Sequence, residues 1–352
     1  MSGSLSSDVG EILNGSPFAG QVHAWDCDGD LDGPLDYAIA VPARDEEALI
    51  SRAVDALVET TQGTPLRGGI VVVLNDTQDN SASIVRSRLR EAKVDFALIE
   101  VRFEDAIRNA PHARRLALDI AVRSASDGVL LTTDADSYVG PGWLSSRLAW
   151  ITAGYDLVCE DVRLDEAELS LLPAQVRTVG EAERTYFEAS ERLWRKWTGN
   201  RAGSFAHRAS GASLAIKAQA YRSIGGLPTP PVGEDVALCE SILAAGMQVC
   251  TANDGGTRTS ARLSGRAQGG CGACLTMRSI EPDPSCDPAL VPLSTLREWA
   301  EIASRFPATH PSTVSAEIRR GAGPLRPMTY SQILGELEQL PMIEAEKAPA
   351  NA

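Results

Sequence analysis

From Tyr37 to Thr133 short apolar runs alternate with stretches of helical periodicity, and this rhythm constrains the fold more than any other feature of the chain. Strand-like runs at Tyr37 to Val41, Ile70 to Asn75, Phe96 to Val101 and Val129 to Thr133 are separated by helix-like segments near Glu46 to Thr60, Asn80 to Ala92 and Ala113 to Ser124. Such an order builds right-handed β-α-β units, so the expected class is α/β with a mostly parallel central sheet flanked by helices.

In open sheets of this kind ligands bind beyond the carboxyl ends of the strands. The residues there are polar: Pro42-Ala43-Arg44-Asp45-Glu46-Glu47, then Asn75-Asp76-Thr77-Gln78-Asp79-Asn80, then Asp134-Ala135-Asp136-Ser137. In an extended backbone residues two apart share a face. Asp134 and Asp136 are therefore expected to converge as a hard-cation site, where oxygen ligands share a divalent ion with a diphosphate. The alternative is a solvated strand exit, since Asp is common in turns.

A chain of 352 residues can bury one large or two small domains. Its net charge of −14 argues against nucleic acid or anionic lipid as a partner. No apolar run approaches the ~20 residues of a spanning helix, and the first residues lack a secretory pattern, so a cytoplasmic location is expected. Seven scattered cysteines read as reduced thiols. Cys271-Gly272-Ala273-Cys274 has no second pair at zinc spacing.

Residues 1–36, rich in Ser, Gly and Asp, read as a loosely ordered lead-in. Beyond Asp156 a long helix is expected from about Leu172 to Trp197, with Val179, Tyr186, Leu193 and Trp197 as a core stripe. Ser210-Gly211-Ala212-Ser213 then leads into Leu214 to Ile216, and Gly233-Glu234-Asp235 opens another helix. Two further helices are expected near Leu293 to Arg305 and Tyr330 to Leu340.

Taken with Gly225-Gly226-Leu227, these pieces stand in an order that resembles the family 2 glycosyltransferases, over roughly Tyr37 to Ala252. The resemblance implies the GT-A fold at 37–255, with 256–352 as a lid loop and helical C-terminal extension. It further implies an inverting, metal-dependent enzyme that moves a sugar from a nucleoside diphosphate to an acceptor hydroxyl. By the family's pattern Pro42, Ala43, Arg44 and Glu46 line the nucleotide pocket, and Asn75 and Asp76 face the base. Relatives often carry two Asp residues where Leu74-Asn75 stand here; a UDP-sugar is favoured, with GDP- or dTDP-sugars open, because an Asn carbonyl can accept the same bond.

Asp134 and Ala135 are implied near the ribose, and Asp136, with Asp134, as ligand to Mn2+ or Mg2+. Asp235, with Glu234 next, is implied as the base acting on the acceptor hydroxyl; the alternative is acidic residues suiting a helix N-terminus. Arg114 and Arg115 are candidates for donor phosphate or sugar, or for a solvated helix face. Arg262 lies in the Arg258 to Gly270 stretch, which reads as a lid over the diphosphate or as an ordinary loop. His112 and His207 are left out of the metal site.

Other readings are a retaining GT-A enzyme, a sugar-1-phosphate nucleotidyltransferase and a non-catalytic sugar-nucleotide-binding protein. The second usually needs a glycine-rich loop after the first strand, and Val41 to Glu46 has no glycine. A dinucleotide-binding dehydrogenase lacks its G-x-G-x-x-G there.

Overall fold

The N-terminal stretch expected to be loose is built into the fold as helix α1 (Leu5–Leu13) and strand β1 (Val22–Asp30). The alternating region follows with β2 (Tyr37–Ala43), α2 (Ile50–Gln62), β3 (Gly68–Asn75), α3 (Ser81–Ala92), β4 (Asp95–Phe103), α4 (Ala110–Ser124) and β5 (Val129–Thr132). Next come β6 (Ser137–Tyr138), α5 (Trp143–Thr152), β7 (Leu157–Cys159), β8 (Arg163–Leu164), α6 (Glu166–Leu169) and α7 (Ala174–Thr198). Then β9 (Leu214–Lys217), α8 (Ala218–Ser223), α9 (Glu234–Ala244), β10 (Val249–Thr251) and β11 (Arg258–Thr259) lead to the C-terminal helices. These are α10 (Cys271–Ile280), α11 (Leu293–Ala303), α12 (Pro311–Ala322) and α13 (Tyr330–Ala345). This computed structural model describes residues 5–31, 33–200, 203–265, 269–305, 311–323 and 325–345.

Eight strands form the main sheet in the order β1-β4-β3-β2-β5-β9-β7-β10. The β4-β3, β3-β2 and β2-β5 pairs are parallel, as is β7 with β10, while β1-β4, β5-β9 and β9-β7 are antiparallel. The mostly parallel α/β sheet is therefore as the periodicity predicts. Every residue of β2 is buried because helices cover both faces. One apolar layer joins Ala38, Val71 and Ile99 to Leu116 and Ile120 of α4; the other joins Ile39, Val72 and Leu98 to Val54 and Leu57 of α2.

Periodicity misses β1 because its side chains are largely exposed. Backbone pairing along β4, from Val22 opposite Phe103 to Asp30 opposite Phe96, holds it instead. Each such hydrogen bond contributes only ~0.5–1.5 kcal/mol net, but a nine-residue strand forms several. Arg86 and Arg90 of α3 add bonds of 2.8 Å each to Asp28. Helix α1 buries Val9, Ile12 and Leu13 in the layer beneath α4.

The stripe Val179, Tyr186, Leu193 and Trp197 is core, but of a separate cluster: it packs with Leu296 and Trp299 of α11, Ile318 of α12 and Ile333 of α13. Helix α7 is thus the platform on which the C-terminal helices sit. A small sheet, β6-β11-β8, joins the turn after β5 to the loop after β10.

Candidate active site

The loops after β2 and β3 are zipped together beyond the sheet edge. Backbone N–H groups of Glu46, Glu47 and Gln78 donate to Ser81 Oγ (2.9 Å), Asp79 Oδ2 (2.9 Å) and Asp45 Oδ1 (2.7 Å). Asp45 and Asp76 hold φ of 50° and 53°, a left-handed conformation that aspartate tolerates in tight turns. Pro42, Ala43 and Asn75 are buried, Asn75 being 3% exposed, so they present little side-chain surface to a ligand.

Asp76 Oδ2 accepts from Phe103 N at 3.2 Å, and Arg108 Nε lies 3.5 Å from Oδ1. Together Arg44, Leu74, Asp76 and Gln78 line a cleft of about 520 Å³ whose far wall, Ala24 and Asp26, comes from β1. The segment that carries no sequence signal therefore closes the pocket.

The D-x-D departs from the extended geometry expected of it. Strand β5 ends at Thr132, and Ser137 N bonds Asp134 O at 3.1 Å, so Asp134 to Ser137 form a turn. Its two carboxylates consequently take different partners. Asp134 Oδ1 accepts from Arg114 at 2.5 Å, whereas Asp136 Oδ2 accepts from Arg262 at 2.8 Å. Burial, then the charges of Asp134 and Glu46, push the Asp136 carboxyl up to about 7 against the opposing pull of Arg262.

Arg114 is not a free donor contact. Its residue is 3% exposed, and its guanidinium also donates to Glu234 Oε1 (3.1 Å), Thr132 Oγ1 (2.7 Å) and the Gly211 carbonyl (2.9 Å). Arg115 points elsewhere, to Asp119 Oδ2 (2.6 Å) and the Leu227 carbonyl (2.9 Å), because it lies about 100° further around α4. Neither arginine can serve the donor without leaving these partners.

Gly233, at φ 81°, turns the chain into α9 and sets Glu234 and Asp235 in its first turn. Glu234 is buried on Arg114. Asp235 Oδ2 accepts Gly211 N at 3.0 Å, and Oδ1 accepts Val236 N at 2.8 Å. Burial and then the Glu234 charge raise its pKa, which suits a proton acceptor better than an ordinary surface carboxylate.

Arg262 lies between Glu46 and Asp136, with NH1 2.7 Å from Glu46 Oε2 and NH2 bonded to both carboxylates. The start of its loop is anchored: β11 pairs with β6, and Ser260 Oγ and Ala261 N bond Glu168 Oε2 at 2.6 and 2.7 Å. Arg258 belongs to β11, and residues 266–268 lie outside the described residues. Asn109 caps α4, its Oδ1 accepting from His112 N at 3.0 Å and lying 2.7 Å from His112 Nδ1, and Cys271 and Cys274 are free thiols.

One buried network carries no sequence signal beyond the Ser210–Ser213 motif. Glu160 accepts from Ser213 Oγ (2.5 Å), Thr257 N (3.0 Å) and Thr257 Oγ1 (2.7 Å), and Trp143 Nε1 donates to Ser213 Oγ at 2.7 Å. It fixes the floor between β7, β9 and β11.

Residues 38–210 match the family model described as Glycosyl transferase family 2. Over that segment the chain is a family 2 glycosyl transferase. As a member it is a nucleotide-sugar glycosyltransferase, and its matched segment holds β2 through the D-x-D and up to Ser210. The fold is similar to that of the mannosyltransferase PcManGT from Pyrobaculum calidifontis, solved with GDP-Man and Mn2+. That likeness has a TM-score of 0.50 and 18% identity, covering 93% of this chain and 81% of that one, and it shows the GT-A-like fold.

Weaker likenesses are to TarS of S. aureus with UDP-GlcNAc (TM-score 0.46, 14% identity, 66% of this chain and 60% of that one). Another is glucosyl-3-phosphoglycerate synthase of Mycobacterium tuberculosis with Mg2+ and UDP (0.41, 15%, 71% and 81%). No curated protein matches the sequence of this family 2 transferase. Among its described residues no helix is long and apolar enough to cross a membrane.

Proposed function

We propose that this glycosyltransferase transfers a sugar, with inversion, from a nucleoside diphosphate donor to an acceptor hydroxyl, with Asp235 as general base. The observation that carries this reading is the joining of two carboxylate motifs at one sheet edge: Arg114 holds Asp134 and Glu234, and Asp235 follows directly on the latter. Among the described residues Asp235 keeps only backbone N–H partners. It is thus able to take the acceptor's proton as the new bond to the anomeric carbon forms and the bond to the diphosphate breaks. A single displacement of this kind inverts the anomeric centre.

The nucleoside end fits the cleft lined by Arg44 and Asp76, a UDP-sugar being favoured and GDP- or dTDP-sugars open, while Pro42, Ala43, Glu46 and Asn75 flank these residues in sequence without lining the cleft. Asp136, with Asp134 beside it, is suited to Mn2+ or Mg2+ by its hard oxygens. Among the described residues no group of three or more ligating side chains could hold a metal alone. The fit is therefore to an ion that shares donor phosphate oxygens. When bound, such an ion offsets the charge of the leaving diphosphate. Arg262 is then free to turn from Asp136 and Glu46 toward phosphate oxygens, which its planar fork matches.

The test is nucleoside diphosphate release from UDP-, GDP- and dTDP-sugars with mixed hydroxyl acceptors, followed by the anomeric configuration of the product. Acceptor-dependent release with an inverted product is expected. A retained anomer removes Asp235 from the role of base in a single displacement, and turnover by Asp235→Asn at the wild-type rate removes it from the chemistry altogether.

A further inference from the structure

A second cavity, of about 730 Å³, is lined by Asp134, by Ser210 and Val236, the chain neighbours of the bonded pair Gly211 and Asp235, and by Trp299, Arg319 and Arg320 of the C-terminal helices. Glu240 and Asp287 also line the cavity, but neither reaches the arginines of the C-terminal helices. Arg319 Nε and NH2 donate to the carbonyls of Phe205 (3.0 Å) and Ala289 (2.8 Å), and its guanidinium lies 5.5 and 5.0 Å from the ring centres of Phe205 and Trp299. Among the described residues no carboxylate is within ion-pair distance of Arg319 or Arg320, whereas Arg208 in the same cavity is matched by Asp161 (2.8 Å) and Asp287 (3.5 Å).

A cation withdrawn from water is costly unless an anion faces it. Burial lowers the Arg319 pKa to about 10, and Asp287, Glu191 and Glu240 counter this only from a distance. Beside it His207 lines the cavity with its Nε2 buried and unpartnered; its Nδ1 is 3.5 Å from Thr251 Oγ1. Burial and then Arg319 lower that imidazole to about 4, so the ring is neutral and Nε2 is available to a ligand.

We infer that this cavity is the acceptor subsite and that it takes a hydroxyl compound bearing an anionic group, phosphate or carboxylate. The anion faces Arg319 and Arg320, and a hydroxyl reaches Asp235. This assignment rests on the transferase reading of Asp235 for the hydroxyl end, while the anion end stands on the arginines.

Isothermal titration of the full chain with glucose, glucuronate and glucose 6-phosphate tests it, since the three share a hydroxyl scaffold and differ in charge. At least one anion should bind ~10-fold or more tighter than glucose, and Arg320→Gln and Arg319→Gln should each erase most of that preference, as loss of a charge-assisted bond does. Which anion wins names the group. Equal binding of glucose, or an anion preference that survives Arg320→Gln and Arg319→Gln, overturns the subsite. Arg320 is exposed, so its variant remains informative where Arg319→Gln fails to fold. Arginine-dependent anion binding without sugar transfer upholds the subsite and defeats the role given to Asp235; transfer to neutral acceptors only does the reverse.

Discussion

Asp134 and Glu234 are far apart in sequence yet share one guanidinium, with Arg114 NH2 2.5 Å from Asp134 Oδ1 and Nε 3.1 Å from Glu234 Oε1. This buried pairing fixes the turn after β5 against the start of α9. It makes Arg114 the spacer between the two carboxylate motifs, which it spans.

Arg114→Met should therefore destabilise the fold by ~3–5 kcal/mol, the cost of leaving buried charges without their partner. Urea unfolding measures it. A loss below ~1 kcal/mol, as for an exposed pair, means that the carboxylates find water instead.

Gly211→Ala tests the same hub from the opposite wall. A Cβ at 211 would collide with the Arg114 guanidinium, which is tied to four partners and has little room to shift. Overpacking of this kind costs ~1–3 kcal/mol, and transfer should fall with stability. An unchanged melting temperature would mean that Arg114 has a second stable placement.

Asp235→Asn should slow transfer by ~10²–10⁴ while donor binding is kept, since the amide holds shape but cannot take the proton. The wild-type rate should rise with pH, because only the ionised carboxylate accepts a proton. Its midpoint should lie above the usual 3.8 of Asp, burial having raised the group. The kcat/KM profile of wild type and variant reads both effects, and an acid limb that persists in the variant assigns it to another group.

Asp136→Asn should abolish the cation-dependent part of nucleoside diphosphate binding, measured by titration with and without Mn2+. In cation-free protein the same change should raise Tm above pH 7. The folded carboxyl, at about 7, holds its proton more tightly than an unfolded Asp at 3.8, so this group's contribution falls as pH rises from about 4 to 7. An Asn variant with an unaltered Tm–pH slope would place the titration elsewhere.

Arg262→Gln should weaken nucleoside diphosphate more than nucleoside, because only the former carries the charge that a guanidinium clamps. Equal losses for the two ligands would confine Arg262 to its bonds with Glu46 and Asp136.

Period and turn chemistry are local properties, and they were enough to place β2 to β5, the helices between them and the polar loops at their carboxyl ends. The order of D-x-D and Glu234-Asp235 was equally legible, because a motif is read along the chain. Orientation was not: Asp134 and Asp136 part company because Ser137 closes a turn, and adjacent Arg114 and Arg115 face the core and α8 respectively. Strand β1 stayed hidden because backbone pairing holds it and its exposed side chains leave no apolar rhythm. Likewise the second cavity exists only because α12 packs on α9 and α11, bringing Arg319 and Arg320 to the cavity that Asp134 and Ser210 also line. The sequence by itself determined which chemistry is present; packing between distant segments decided which of those groups meet.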